Sequence, residues 1–126
     1  MALSVTSRLD EGFGILHLSG ALTLSPSLST LRETTRQLLG NGAKLYGLIL
    51  RMADVTSVDS AGLGELTIVY TFASRQKCPI RLIGVTANLH KMLEMTRLDE
   101  LLRTADNLEA AKRELRGSIA SQTKGN

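Results

Sequence analysis

The run Asp59-Ser60-Ala61-Gly62-Leu63-Gly64 holds the residues of this sequence whose types and spacing could do chemistry. It comes after the apolar segment Leu48, Ile49, Leu50, by way of Asp54-Val55-Thr56-Ser57-Val58, and leads into Leu66, Val69, Tyr70 and Ala73 at helical spacing. A hydroxyl at the first turn of a helix, beside a carboxylate and two glycines, admits three roles: cap, nucleophile or phosphoacceptor. As N-cap, Ser60 would accept from a free helix N–H. As the nucleophile of a hydrolase elbow it would need glycines two residues to either side. Val58 and Gly62 stand there, so half the motif is missing, and neither His17 nor His90 falls where a triad base is needed. Gly62-Leu63-Gly64 has the start of a dinucleotide fingerprint, but its third glycine would fall on Thr67, and no G-x-x-x-x-G-K-[ST] loop occurs. As phosphoacceptor, Ser60 would gain about −1.5 to −2 charges at pH 7. A helix N-terminus tolerates them through its free N–H groups and dipole. With Asp59 adjacent and Glu65 near, the product is a negative patch that disrupts any interface burying the turn.

The elements that must position this run follow from hydrophobic periodicity. Ser4 to Leu9 alternates weakly and predicts an edge strand; Asp10-Glu11-Gly12 predicts a turn. Gly14 to Leu22 predicts a second strand, with Ile15, His17 and Ser19 on one face and Leu16 and Leu18 on the other. Ser25-Pro26 predicts a helix start, with a hydroxyl cap and proline at the first helical position. Leu28, Leu31, Thr35, Leu38 and Leu39 continue that helix to a stop at Gly40-Asn41-Gly42. Leu45 to Met52, apolar without alternation, predicts a strand covered on both faces. A helix over Ala61 to Arg75 follows, then a strand over Ile80 to Ile83 and a helix over Ala87 to Met95, capped by Thr86 and leaving His90 exposed. Leu98 to Leu102 connects to a last short strand at Arg103-Thr104-Ala105. Asp106 and Glu109 have capping-box spacing. They open a final helix to about Arg116 with Leu108, Ala111 and Leu115 on one stripe, and residues 117–126 carry no burial pattern and are expected to form a flexible tail. The order ββαβαβα(β)α predicts an α/β fold: one domain, residues 1–116, with a mixed sheet of four to five strands and about four helices.

At 126 residues, 43% hydrophobic and 21% charged, the chain has the size and balance of one globular domain. Its aromatics are Phe13, Tyr46, Tyr70 and Phe72, too few for the stacking platforms that bind single-stranded nucleic acid. The formal charge of +3 arises from basic residues spread along the chain, several of them between Lys112 and Lys124. That distribution points away from nucleic acid and toward an acidic protein partner or a solvated surface. Cys78 is the single cysteine, which excludes an internal disulfide and a multi-cysteine zinc site. No signal-peptide pattern and no membrane-length apolar run occur, so a cytoplasmic protein without metal or cofactor is expected.

Val55 to Gly64, V-T-S-V-D-S-A-G-L-G, resembles the signature of STAS domains of the anti-sigma factor antagonist (anti-anti-sigma factor) type. The resemblance continues at Leu89 to Leu102 (LHKMLEMTRLDELL) and at Leu18, Gly20 and Leu22, and it spans Ser4 to Leu115. It implies a non-enzymatic bacterial regulator of transcription that works by partner switching. The unphosphorylated form binds an anti-sigma factor with serine kinase activity and so releases a sigma factor. The kinase, which holds the ATP or ADP, ends the complex by phosphorylating the serine, and a serine phosphatase restores it. Carried over, the acceptor is Ser60, and Thr23, Asp59, Ser60, Ala61, Gly62, Leu63 and Gly64 form the partner surface. Many members have Asp at the place of Thr23, Asp or Asn at that of Arg51, and Gly at that of Arg97, so here the face is less negative. The same resemblance admits an alternative: a scaffold or transport-associated STAS subunit, as in stressosome-like or lipid-transport complexes, that holds its partner without a phospho-switch.

Overall fold

The structure, a computed structural model, describes residues 2–40 and 44–124, with side chains through residue 117. Strands β1 (Ser4–Asp10) and β2 (Phe13–Leu22) pair antiparallel. Their loop is Glu11 and Gly12 at φ 54 and 83, the double positive φ that a two-residue hairpin with native twist requires. Helix α1 (Thr30–Leu39), strand β3 (Gly47–Val58), helix α2 (Ser60–Arg75), strand β4 (Ile80–Ile83) and helix α3 (Ala87–Met95) follow. A 3-10 turn (Leu98–Glu100), strand β5 (Thr104–Ala105) and helix α4 (Leu108–Lys124) complete the chain. The sheet order is β1-β2-β3-β4-β5, parallel except for the hairpin. This is the expected α/β domain, with a mixed five-stranded sheet and four helices.

Alternation along the central strands divides the core in two. Leu16, Leu18 and Leu22 of β2 and Leu48, Leu50 and Met52 of β3 pack under α1, α2 and α3. Phe13, Ile15 and Ile49 point to the other side, where Ala111 and Leu115 of α4 cover them. Lys112 of α4 is buried, a position lysine holds only when paired. Its Nζ donates to Asp10 Oδ2 at 2.9 Å and Glu11 Oε1 at 2.7 Å, tying α4 to the hairpin loop.

Several local expectations are corrected. Ser25-Pro26 does not open α1. Ser25 O accepts from Leu28 N and Ser27 O from Thr30 N, so this segment is a chain of turns, and the helix starts at Thr30. The hydroxyls are engaged elsewhere: Leu3 N donates to Ser27 Oγ, and Ser25 and Ser27 bond each other. At the far end Gly40 caps the helix, while Asn41 and Gly42 lie outside the described residues. Strand β3 does not stop at Met52; it continues to Val58 against β2, with register shifts after His17 and Gly20. Polar Asp54, Thr56 and Ser57 stay exposed there, and only Val55 and half-buried Val58 turn to the core, so no continuous apolar run marks this half. The cap of α4 is Asn107, whose Oδ1 accepts from Ala110 N, and not Asp106. Helix α4 continues past Arg116 to Lys124; no proline interrupts that stretch. At the turn after α3, Arg97 adopts φ 61, the left-handed conformation suited to the glycine that the resemblance places there.

Candidate functional site

The ends of β2 and β3 and the start of α2 meet at Asp59. Its backbone is extended (φ −120, ψ −174), and it, not Ser60, is the N-cap of α2. The carboxylate has two acceptors and uses both: Oδ1 takes Gly62 N–H at 2.9 Å and Oδ2 takes Leu24 N–H at 3.0 Å. One side chain thus holds the helix start and the loop after β2 together. The Leu24 amide first, then that of Gly62, hold the Asp59 carboxyl below its ordinary value. Asp59 N–H donates to Leu22 O at 3.3 Å, and Leu63 N–H donates to Asp59 O at 3.0 Å.

The two glycines do different work. A Cβ on Gly62 would run into the Leu22 carbonyl oxygen, so only glycine lets α2 start this close to β2. A Cβ on Gly64 would meet nothing within 4 Å. Gly64 lies one turn below Ser60 on the same helix face, and both are exposed. Leu63 is 7% exposed and belongs to the core, with Ala61 packed against it. Of the residues expected to form the partner surface, Ser60 and Gly64 face solvent, Thr23 and Asp59 are half-buried, and Gly62 and Leu63 shape the turn from beneath.

Leu24 is the residue missed from sequence. It is 80% exposed, an apolar side chain on the loop that its backbone hydrogen bond to Asp59 ties to the α2 start. Its only sequence signal is one leucine in the polar run Thr23-Leu24-Ser25-Pro26. A cleft of about 200 Å³ opens next to the turn, between the end of β3 and the start of α3, lined by Val55, Ser57, Val58, Thr86, Asn88 and Leu89.

Two electrostatic expectations change. Glu65 adds nothing to an exposed negative patch: it is 2% exposed, and Arg32 donates to both its oxygens at 2.8 and 2.7 Å. Asp59 is left as the carboxylate beside Ser60. Arg51 pairs with His17 and shares the sheet face of Ile49, the α4 side, so it lies away from Thr23 and the α2 start. His17 bonds Asp54 at 2.7 Å and His90 lies 3.6 Å from Glu94; neither is paired with Ser60. Among the described residues no group of three or more His, Cys, Asp or Glu is placed to hold a metal, and no helix is long and apolar enough to cross a membrane.

Comparison with known proteins gives this architecture its family. The STAS domain family matches residues 4–111. An anti-sigma factor antagonist from Mycobacterium paratuberculosis superposes with a TM-score of 0.75 at 15% identity, covering 91% of this chain and 95% of its own. The anti-sigma factor antagonist SpoIIAA in its unphosphorylated form gives 0.65 at 14% identity, with 99% and 100% covered. A sulfate transporter family protein from Wolinella succinogenes gives 0.71 at 19% identity, with 90% and 92% covered. At such identities the structures share the fold, and the family match covers most of the sequence. The chain therefore belongs to the STAS domain family.

Proposed function

We propose that this protein is an anti-sigma factor antagonist, switched by phosphorylation of Ser60. The observation that carries the proposal is the placement of Ser60: exposed, first in α2, directly after the Asp59 carboxylate that orders both the helix start and the Leu24 loop. The kinship with solved anti-sigma factor antagonists supports the same reading. Unphosphorylated, the face of Thr23, Leu24, Ser60 and Gly64 offers an apolar side chain to bury at Leu24 and no bulk at Gly64. It binds an anti-sigma factor with serine kinase activity, which supplies ATP. Phosphate on exposed Ser60 projects into solvent at the positive end of the α2 dipole, so the domain stays folded. Its charge beside Asp59 must be desolvated if the partner is to stay, and the complex dissociates. No catalytic group of this chain takes part.

The test uses the native partner co-purified with the full chain. Incubation with ATP is expected to place one phosphate on Ser60, mapped by mass spectrometry, and to release the partner. Ser60→Ala is expected to bind and stay bound, and Ser60→Asp to lose binding. Equal binding by Ser60→Asp and wild type would sink the switch. If the partner also stays through ATP treatment with no phosphate added, the non-switching scaffold or transport-associated role replaces it.

A further inference from the structure

We propose that the uncovered half of the sheet on its α4 side carries an oxyanion site, built by Thr6, Arg8, His17 and Arg51, that takes a phosphate group. Cover by α4 ends abruptly. Ile15 and Ile49 are register partners on β2 and β3 and are 1% and 0% exposed. The next partners on the same face, His17 and Arg51, are exposed. A parallel strand pair is ordinarily buried on both faces; here it changes within one step from isoleucine to a histidine and an arginine. Those side chains surround a real concavity: Thr6, Arg8, Ile15, His17 and Arg51 line a hollow of about 210 Å³, room for a tetrahedral oxyanion.

Charge completes the case. Nearby on this side, Arg81 has Glu114 at 3.0 Å, Arg116 has Glu11 at 3.7 Å, and Lys112 has both Asp10 and Glu11. At the hollow the balance fails. Arg8 reaches Asp10 only at 3.5 Å, and Lys112 already holds that same oxygen at 2.9 Å. Asp54 is taken by His17 at 2.7 Å. Among the described residues Arg51 makes no salt bridge. Two arginines thus line one hollow whose lining includes no carboxylate, and the guanidinium fork suits phosphate oxygens. Thr6 adds a neutral hydroxyl donor, and Ile15 forms an apolar floor. The site is on the opposite side of the sheet from α2 and is independent of Ser60.

The experiment is an amide NMR titration of the full chain with inorganic phosphate, against sodium chloride at matched ionic strength. The Thr6, His17 and Arg51 amides are expected to shift saturably with phosphate and not with chloride. Arg51→Gln and Arg8→Gln, both at exposed positions, are expected each to weaken binding by about tenfold, the loss of one charge-assisted contact, with an unchanged melting temperature. A parallel titration with the blocked phosphoserine residue identifies the source: tighter binding assigns an esterified phosphate, equal binding the free ion. Equal shifts with chloride, shifts confined to the Gly62 and Leu63 amides, or wild-type affinity in the double variant would overturn the site.

Discussion

Asp59 serves as helix cap and loop clamp with one carboxylate, so its protonation loosens both contacts together. Its folded pKa lies below the ordinary 3.8, so the stability it contributes is complete above that value and is lost as pH falls through the folded pKa. The Leu24 and Gly62 amide resonances are expected to follow the Asp59 carboxyl carbon along a single titration curve below pH 3.8. Separate midpoints would show that the carboxylate does not join the two segments. Asp59→Asn keeps an N-cap acceptor and is expected to retain Gly62 protection better than Asp59→Ala, measured by amide exchange. Buried Glu65 shows the same economy of charge, since Arg32 meets both its oxygens and leaves Asp59 as the carboxylate beside Ser60.

Helix α2 separates two glycines that look alike in sequence. Gly62→Ala forces a methyl into the Leu22 carbonyl and is expected to destabilise by about 1–3 kcal/mol. Gly64→Ala enters open space, removes the entropy of a helical glycine, and is expected to stabilise by about 0.5–1 kcal/mol. Urea unfolding distinguishes them by opposite shifts in midpoint. The same Gly64→Ala change adds bulk one turn from Ser60, so partner affinity is expected to fall while stability rises. The turn after α3 gives the reverse case. Arg97 bears left-handed strain at φ 61, and Arg97→Gly is expected to raise stability by about 1 kcal/mol. An unchanged midpoint would mean that the Arg97 side chain repays the strain by contacts of its own.

Across the whole molecule, Lys112 fastens the last helix to the first hairpin, joining segments far apart in the chain. Hydrogen bonds from Lys112 hold Asp10 and Glu11 below 3.8 and 4.5, and those carboxylates raise Lys112 above 10.5. The carboxylate part of this stability is present above their ordinary values and fades as pH falls through the folded ones. The lysine part is present below 10.5 and fades as pH rises through its raised value. The urea midpoint of wild type is therefore expected to drop on both the acid and alkaline flanks. Lys112→Met is expected to flatten both; a variant with unchanged flanks would place the pH dependence elsewhere.

Much of this architecture is legible in the sequence because it is written in local terms. Alternation in Ile15 to Leu18, the apolar run at Leu48 to Leu50, and helical spacing in α2 and α3 depend on which faces are buried, and burial selects residue types. The Thr86 cap is equally local, and its hydroxyl accepts from Leu89 N as the spacing predicts. The D-S-x-G-L-G run could also be found, since one close approach demands glycine at Gly62. What sequence could not give depends on partners distant in the chain. The second bond of the Asp59 cap, from the Leu24 amide 35 residues away, leaves no local mark in the sequence. Glu65 and Lys112 are buried because Arg32 and the hairpin carboxylates meet them there, and no local pattern announces a buried charge. Arg51 went to the α4 side because register with His17, not nearness to Asp59 in the chain, decides which face of a sheet a side chain takes.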